Sequence, residues 1–497
     1  MTLRFLPPVA LALALAGCAA VGPDYRLPDQ AAARRPAAAA AFQQAADATL
    51  FAQAEPPGQW WRLYQDPRLD ALVEQALAAN ADLRQAQASL ERARAVVDEA
   101  RAQGQPGVDV HASPAFGHSS GVQLLQPDAR PQDQWSYSAG VGVSYQLDLF
   151  GQIRRAIEAA GDDAQAAQAA YDAARTTVAA ETARAYADLC SAGMQLDSAR
   201  QSVQVQRESV QAVQRLQAAG RGTALDVSRA RSQLEQLQAD LPPFEARQRT
   251  ALYRLAALTG HAPGELPQDL LACAQPPRLA QAIPVGDGAA LLRRRPDIRQ
   301  AERALAGATA RIGVATADLY PKVTLGLSGA SGGPASRFGD RGTFSWSAGP
   351  LISWTLPNTG AAQARIAQAE AATRGALAKF DATVLNALRE TESALVTYAR
   401  QLDRDASLRA AREQSALAAQ QARQLFRAGK TDYLTVLDAE RTLAGAQSAL
   451  AASQAALSGD QIALFLALGG GWQQADAPQA ARAQATAPAA AATESDS

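Results

Sequence analysis

Histidine, cysteine, aromatic residues and long apolar runs are all in short supply in this 497-residue chain. Each shortage excludes something. The three histidines, His111, His118 and His261, leave little for acid–base chemistry. Gly117-His118-Ser119-Ser120-Gly121 satisfies G-x-S-x-G, but a nucleophile elbow needs a buried strand before it and a helix directly after. Here the motif falls in a loop, and His111 and His118 lie too close to the serine for the usual late-chain base. No catalytic site is expected. The three cysteines, Cys18, Cys190 and Cys273, form no CxxC or Cys/His cluster, so neither a metal nor a cofactor is expected. Cys190 reads as a small apolar packing residue on a helix. A bond between it and Cys273 is possible in an oxidising compartment, but the spacing gives it no support. A formal net charge of -1 offers no field for capturing nucleic acid. Nor does a Walker-type loop occur, so nucleotide binding or hydrolysis is not expected. Aromatics make up 5% of the chain and alanine is abundant, which suits close-packed long helices better than a large globular core. No stretch beyond the N-terminus reaches about 18 consecutive apolar residues, so no membrane-crossing helix is expected in the mature chain.

What is there is a strand that turns straight into a very long helix, and it occurs twice. In Trp135 to Leu149, every second residue from Trp135 through Tyr137, Ala139, Val141, Val143, Tyr145 and Leu147 is apolar, and the intervening residues are small or polar. Period two marks a strand with one apolar face. Aromatics near both ends of the stripe suit a strand that crosses a bilayer within a β-barrel. About seventy residues without proline follow. The second copy, Phe344 to Gly360, aligns without a gap at an offset of 209: Ser138 falls on Ser347, Tyr145 on Trp354, Gly151 on Gly360, Gly220 on Gly429. Upstream the offset is 215, placing Asp82 on Asp297 and Pro106 on Pro321. The pattern is a tandem duplication, each half a helix, two strands, a long helix and a returning helix.

The N-terminus adds a compartment. Arg4 precedes an apolar core ending in Leu15-Ala16-Gly17-Cys18, the form of a signal peptide followed by a lipobox whose cysteine is acylated. Alanine at position 19 favours outer-membrane sorting. The expected organisation is a signal peptide at 1–17, a lipidated tether at 18–58, a first repeat at 59–260, a connector at 261–292, a second repeat at 293–472 and a disordered tail at 473–497. Within the first repeat, Asp66-Pro67 starts a helix running to about Gln103, a strand begins at Val108, and 113–134 reads as a loop. The long helix, about 152–219, carries Leu189, Leu196, Val203 and Val210 at spacing seven, a coiled-coil seam. Its return runs to about Thr259 with an interruption at Pro242-Pro243. Helices of the second repeat are expected near 296–318, 361–428 and 432–468.

Several segments together resemble a known family. They are Val21-Gly22-Pro23-Asp24-Tyr25, Trp60-Trp61 with Asp66-Pro67, Tyr145-Gln146-Leu147-Asp148-Leu149-Phe150-Gly151, Arg293-Arg294-Arg295-Pro296-Asp297-Ile298, Ala428 to Ala439, and Ala467-Leu468-Gly469-Gly470-Gly471-Trp472. In order and over nearly the full length, they resemble the TolC-like outer-membrane factors, in particular their lipid-anchored multidrug-efflux branch. Pro357-Asn358-Thr359-Gly360 departs from that family's Ile-Phe-Asp-Gly-like turn. The resemblance implies a mixed α and β membrane protein: a homotrimer sharing a 12-stranded barrel, four strands from each chain, continued by a long α-helical barrel in the periplasm. It also implies a passive exit duct for small toxic compounds, docked on a periplasmic adaptor and a proton-driven inner-membrane transporter. The alternatives are a duct for type I protein secretion and a pore-less, lipid-anchored coiled-coil scaffold.

Candidate site residues cluster at the turns that end the long helices. Gly220 and Gly429 each close one, and Asp226 and Asp432 follow, where helix capping or dipole pairing accounts for them as readily as a gate. Asp438 lies too far into the returning helix to cap it. By resemblance, Leu434 and Asp438 line the constriction at the periplasmic end of the duct, with Asp226 and Asp432 nearby. Three carboxylates there would oppose one another unless paired with a base such as Arg441 or Lys430.

Overall fold

The computed structural model describes residues 20–118, 132–279, 281–355 and 359–471. Asp66 caps the first main helix, α1 (Pro67–Ala79), accepting from the amides of Arg68 and Leu69, with Pro67 at the first helical position. The single helix expected to reach Gln103 is instead two, because Asn80 leaves helical geometry and starts a second cap. Its side-chain oxygen accepts from the amides of Asp82 and Leu83, opening α2 (Ala81–Ala102). Strand β1 (Gly107–Gly117) and β2 (Gln134–Leu147) follow, so 113–117, expected as loop, is strand. After them come the long α3 (Gln152–Ala218) and its return, α4 (Ala224–Ala239) and α5 (Leu241–Leu258), broken at Asp240 just before Pro242-Pro243. The connector holds a short helix, α6 (Gly288–Arg294), capped by Asp287. The later main elements are α7 (Pro296–Ala317), β3 (Lys322–Pro334), β4 (Phe344–Ser353), the long α8 (Gly360–Arg427) and its return α9 (Tyr433–Ala467).

The chain divides into two compact units. One comprises Met1–Asp29, Ala88–Gln168 and Gln300–Phe380. Its centre is a four-stranded antiparallel sheet in the order β1-β2-β3-β4. Register places Phe116 beside Trp135, Val110 beside Val141, Leu327 beside Val143 and Ala348, and Trp346 beside Gly329. All of these lie on one face. The opposite face is built of Gly140, Gly142, Ser328, Ser345 and Ser347, together with Asp109 and His111. Most of the apolar face is uncovered by the described residues: Val110 is 74% and Trp346 80% exposed, while the Phe338 ring packs on Tyr137 at 4.9 Å. Where β2 becomes α3, the carboxylate of Asp148 accepts from the amides of Ile153 and Arg154 and caps the helix. The N-terminal segment is fastened at this junction. Val21 donates its amide to the Phe150 carbonyl, and the Arg155 guanidinium donates to the carbonyls of Val21 and Gly22 and to Asp24.

The second unit comprises Gln30–Gln87, Ala169–Arg299 and Asp381–Ser497. Residues 30–58, expected as a loose tether, are pinned down in it. The amide of Ala32 donates to Asp381, that of Gln43 donates to Glu392, and Phe51–Ala52 pairs in parallel with Ile283–Pro284. Phe42 and Phe51 are buried, which gives this alanine- and proline-rich stretch the apolar anchors a tether lacks. The Trp60 ring stacks on Phe465 at 4.8 Å. Arg295 bonds Glu390, Asp297 and the Ala467 carbonyl, fixing the start of α7 to α8 and to the end of α9. The seam at spacing seven is real: Leu189, Leu196, Val203 and Val210 are all buried. Cys190, read as a lone packing residue, is bonded to Cys273. Among the described residues no helix is long and apolar enough to cross a membrane.

Candidate functional site

Both long helices end in the same backbone device. Gly220 and Gly429 take left-handed φ values of 70° and 69°. The amide of Arg221 bonds the Leu216 carbonyl and that of Lys430 bonds the Leu425 carbonyl, the six-residue closure of a Schellman turn. A β-carbon on either glycine would meet nothing within 4 Å. Only backbone conformation selects glycine there.

The return helices begin with a mirrored pair of caps. In α4 the Thr223 hydroxyl accepts from the Asp226 amide while the Asp226 carboxylate accepts from the Thr223 amide and hydroxyl, a capping box. In α9 the order is exchanged: Asp432 is the cap and accepts from the amide and hydroxyl of Thr435. Those bonds hold the Asp432 carboxyl below the usual carboxylate range, with Arg229 a lesser contributor. Asp226 and Asp432 therefore both have capping roles.

Leu434 and Asp438 differ in kind. They follow the cap on one helix face, and Leu434 is 46% exposed. With Asp432, Leu425 and Gln421 they line a groove between α8 and α9. The Asp438 carbonyl accepts from Thr442, but no bond to its carboxylate occurs among the described residues. Arg441, expected as a counter-charge, donates instead to Gln233 at 2.6 Å. Leu434 and Asp438 are thus brought together on one groove, with no base bonded to the Asp438 carboxylate among the described residues. At the position equivalent to Asp438, the first half carries Arg229.

The sequence reading missed Glu440. The stripe Tyr433, Val436, Leu437 and Glu440 is buried against Val210, Val213, Val227 and Ala230. Its i, i+3, i+4, i+7 spacing was the available signal. The Glu440 side chain is 7% exposed, lies 3.8 Å from Arg423, and has one carboxylate oxygen with no hydrogen-bond partner among the described residues. Burial pushes its carboxyl up, against the opposing pull of Arg423. Cys18, the expected lipidation site, and Ser119 of the G-x-S-x-G match lie outside the described residues, as do Pro357 and Asn358 of the atypical turn. No group of three or more His, Cys, Asp or Glu side chains suited to a metal ion occurs among the described residues.

Comparison with known proteins fits this geometry. The family model described as "Outer membrane efflux protein" matches residues 72–261 and 289–470. Outer membrane protein OprJ of Pseudomonas aeruginosa is 31% identical over 93% of this chain and 95% of its own length. The cation efflux system protein CusC of Escherichia coli is 28% identical over 94% of this chain and 99% of its own. The solved outer-membrane channel OprN superposes with a TM-score of 0.83 at 38% identity, covering 91% of this chain and all of that one. With the family model matching well over half of the sequence, the chain belongs to the outer membrane efflux protein family.

Proposed function

We propose that the protein is the outer-membrane exit duct of a tripartite efflux system, and that three copies build the duct. The observation that carries this reading is the four-stranded sheet with an uncovered apolar face and two open edges, β1 and β4. Lipid can cover the apolar face, but an open edge in lipid leaves backbone groups unsatisfied at several kcal/mol each. A closed membrane barrel needs at least about eight strands. Joining β1 of one copy to β4 of the next closes the sheet, and three copies give a barrel of twelve strands with the glycine- and serine-rich face lining the lumen. The helical unit extends into the periplasm, where a periplasmic adaptor and a proton-driven inner-membrane transporter dock and supply the energy. Cys18 carries the acyl anchor. The bonds that hold Val21 to Asp24 at the start of α3 support this, because they leave only a short reach from the β-to-α junction to residue 18. The mirrored turns and the family model's two matched segments support a tandem repeat with halves 59–260 and 293–472, joined by 261–292. At the periplasmic end Leu434 and Asp438 form the constriction, flanked by Asp226 and Asp432.

A shared barrel ties strand formation to assembly. Protein extracted in mild detergent is expected to run at three times the chain mass of 51.9 kDa, allowing for bound detergent. A stable monomer with its full complement of strand would refute the shared barrel.

A further inference from the structure

The glycine- and serine-rich face of the sheet carries very little charge. Within the four strands the ionisable side chains are Asp109, His111, Tyr137, Tyr145 and Lys322, and both tyrosines belong to the apolar face. Lys322 is the first residue of β3 and is paired with Asp318 at 3.2 Å. That leaves Asp109 and His111, two residues apart on β1 and both exposed. The register row of Asp109 continues through Gly142 and Ser328 to Ser347, and the two serine hydroxyls bond each other at 2.8 Å. The row of His111 continues through Gly140 and Ala330 to Ser345. The neighbouring glycines make room for the two polar side chains. A β-carbon on Gly142 would lie 2.6 Å from Asp109 Oδ2, and one on Gly140 would lie 2.6 Å from His111 Cε1. Both side chains therefore lie across β2, over bare backbone, and nothing else in their rows carries charge.

We propose that Asp109 sets the charge selectivity of the barrel lumen, one carboxylate from each of three copies forming an acidic band that favours cationic solutes over anionic ones. This rests on the shared-barrel reading. The effect should be moderate and dependent on salt. A carboxylate about 10 Å from a solute on the barrel axis acts across about one Debye length at 0.1 M salt and is almost fully screened at 1 M. Three of them should shift the cation-to-anion permeability ratio about threefold at 0.1 M.

The test measures reversal potential across a planar bilayer holding the purified protein, in a potassium chloride gradient centred near 0.1 M. Parent, Asp109→Asn and Asp109→Lys are compared. The expected result is a ratio of potassium to chloride permeability lower by about threefold in Asp109→Asn, lower again in Asp109→Lys, and converging near 1 M salt. Variants that conduct like the parent with an unchanged reversal potential at 0.1 M would overturn the assignment. A folded, membrane-inserted parent that never conducts would overturn the shared barrel itself, and this inference with it.

Discussion

Asp438 and Leu434 stand one turn apart on an exposed stretch of α9 that borders the groove beside α8. An exposed leucine beside a carboxylate with no bonded partner among the described residues is the pair a narrow aqueous constriction would use. Asp438→Ala should raise single-channel conductance and lower cation preference, since in the proposed trimer it removes three charges and bulk at once. Leu434→Ala should widen the pore with little change in preference. Recordings in which both variants match the parent would place the constriction elsewhere. Glu440 makes a different prediction, about stability. A carboxyl whose pKa is raised on folding binds its proton more tightly in the folded state. Its contribution therefore favours folding at low pH and is lost as pH climbs from the ordinary glutamate range, about 4.3, through the raised value. Glu440→Gln removes the buried charge, so it should raise the thermal midpoint near pH 7 by a few degrees at most, with the gain closing as pH falls toward about 4. A variant less stable than the parent at pH 7 would show that the pair with Arg423 outweighs burial. At this scale the sequence was informative about position and less so about role. Both capping aspartates and both turn glycines were legible from their place beyond a long periodic segment. Glu440 was hidden because a charged residue on a buried stripe looks like any solvated glutamate until its neighbours are known.

The strands and long helices were the most legible elements, since period two and unbroken proline-free runs are local signals. Two boundaries were not. Asn80 breaks a helix whose apolar stripe continues on either side, because an asparagine cap competes for the backbone without disturbing the pattern. Strand β1 also runs on through 113–117, part of the segment expected as loop, because a glycine-, proline- and polar-rich stretch reads alike until its pairing with β2 is known. The bond between Cys190 and Cys273 was illegible for a further reason: it depends on the path of the connector, which no local pattern fixes. It joins α3 to the connector across 83 residues of sequence. Closing a loop of that size removes much freedom from the unfolded chain, so Cys190→Ser with Cys273→Ser should cost about 2–5 kcal/mol. The expected observation is a lower thermal midpoint that no longer responds to reductant. An unchanged midpoint would show that packing around the connector suffices without the bond.

For the whole molecule, composition was already suggestive: few aromatics and abundant alanine suit long helices in close contact. What one chain could not reveal is how its sheet is completed, because in the proposed barrel the edges are satisfied by other copies. The proposed internal repeat helped here, since two hairpins supply a four-stranded sheet that is too small to close alone. If three such sheets share one barrel around a glycine- and serine-rich lumen, the assembly is a duct and must pass ions. Purified protein added to a planar lipid bilayer should therefore give discrete, repeatable conductance steps, larger in the Asp438→Ala variant than in the parent. Folded trimer that inserts and yields no steps, in either form, would contradict the proposal that this chain builds an exit duct.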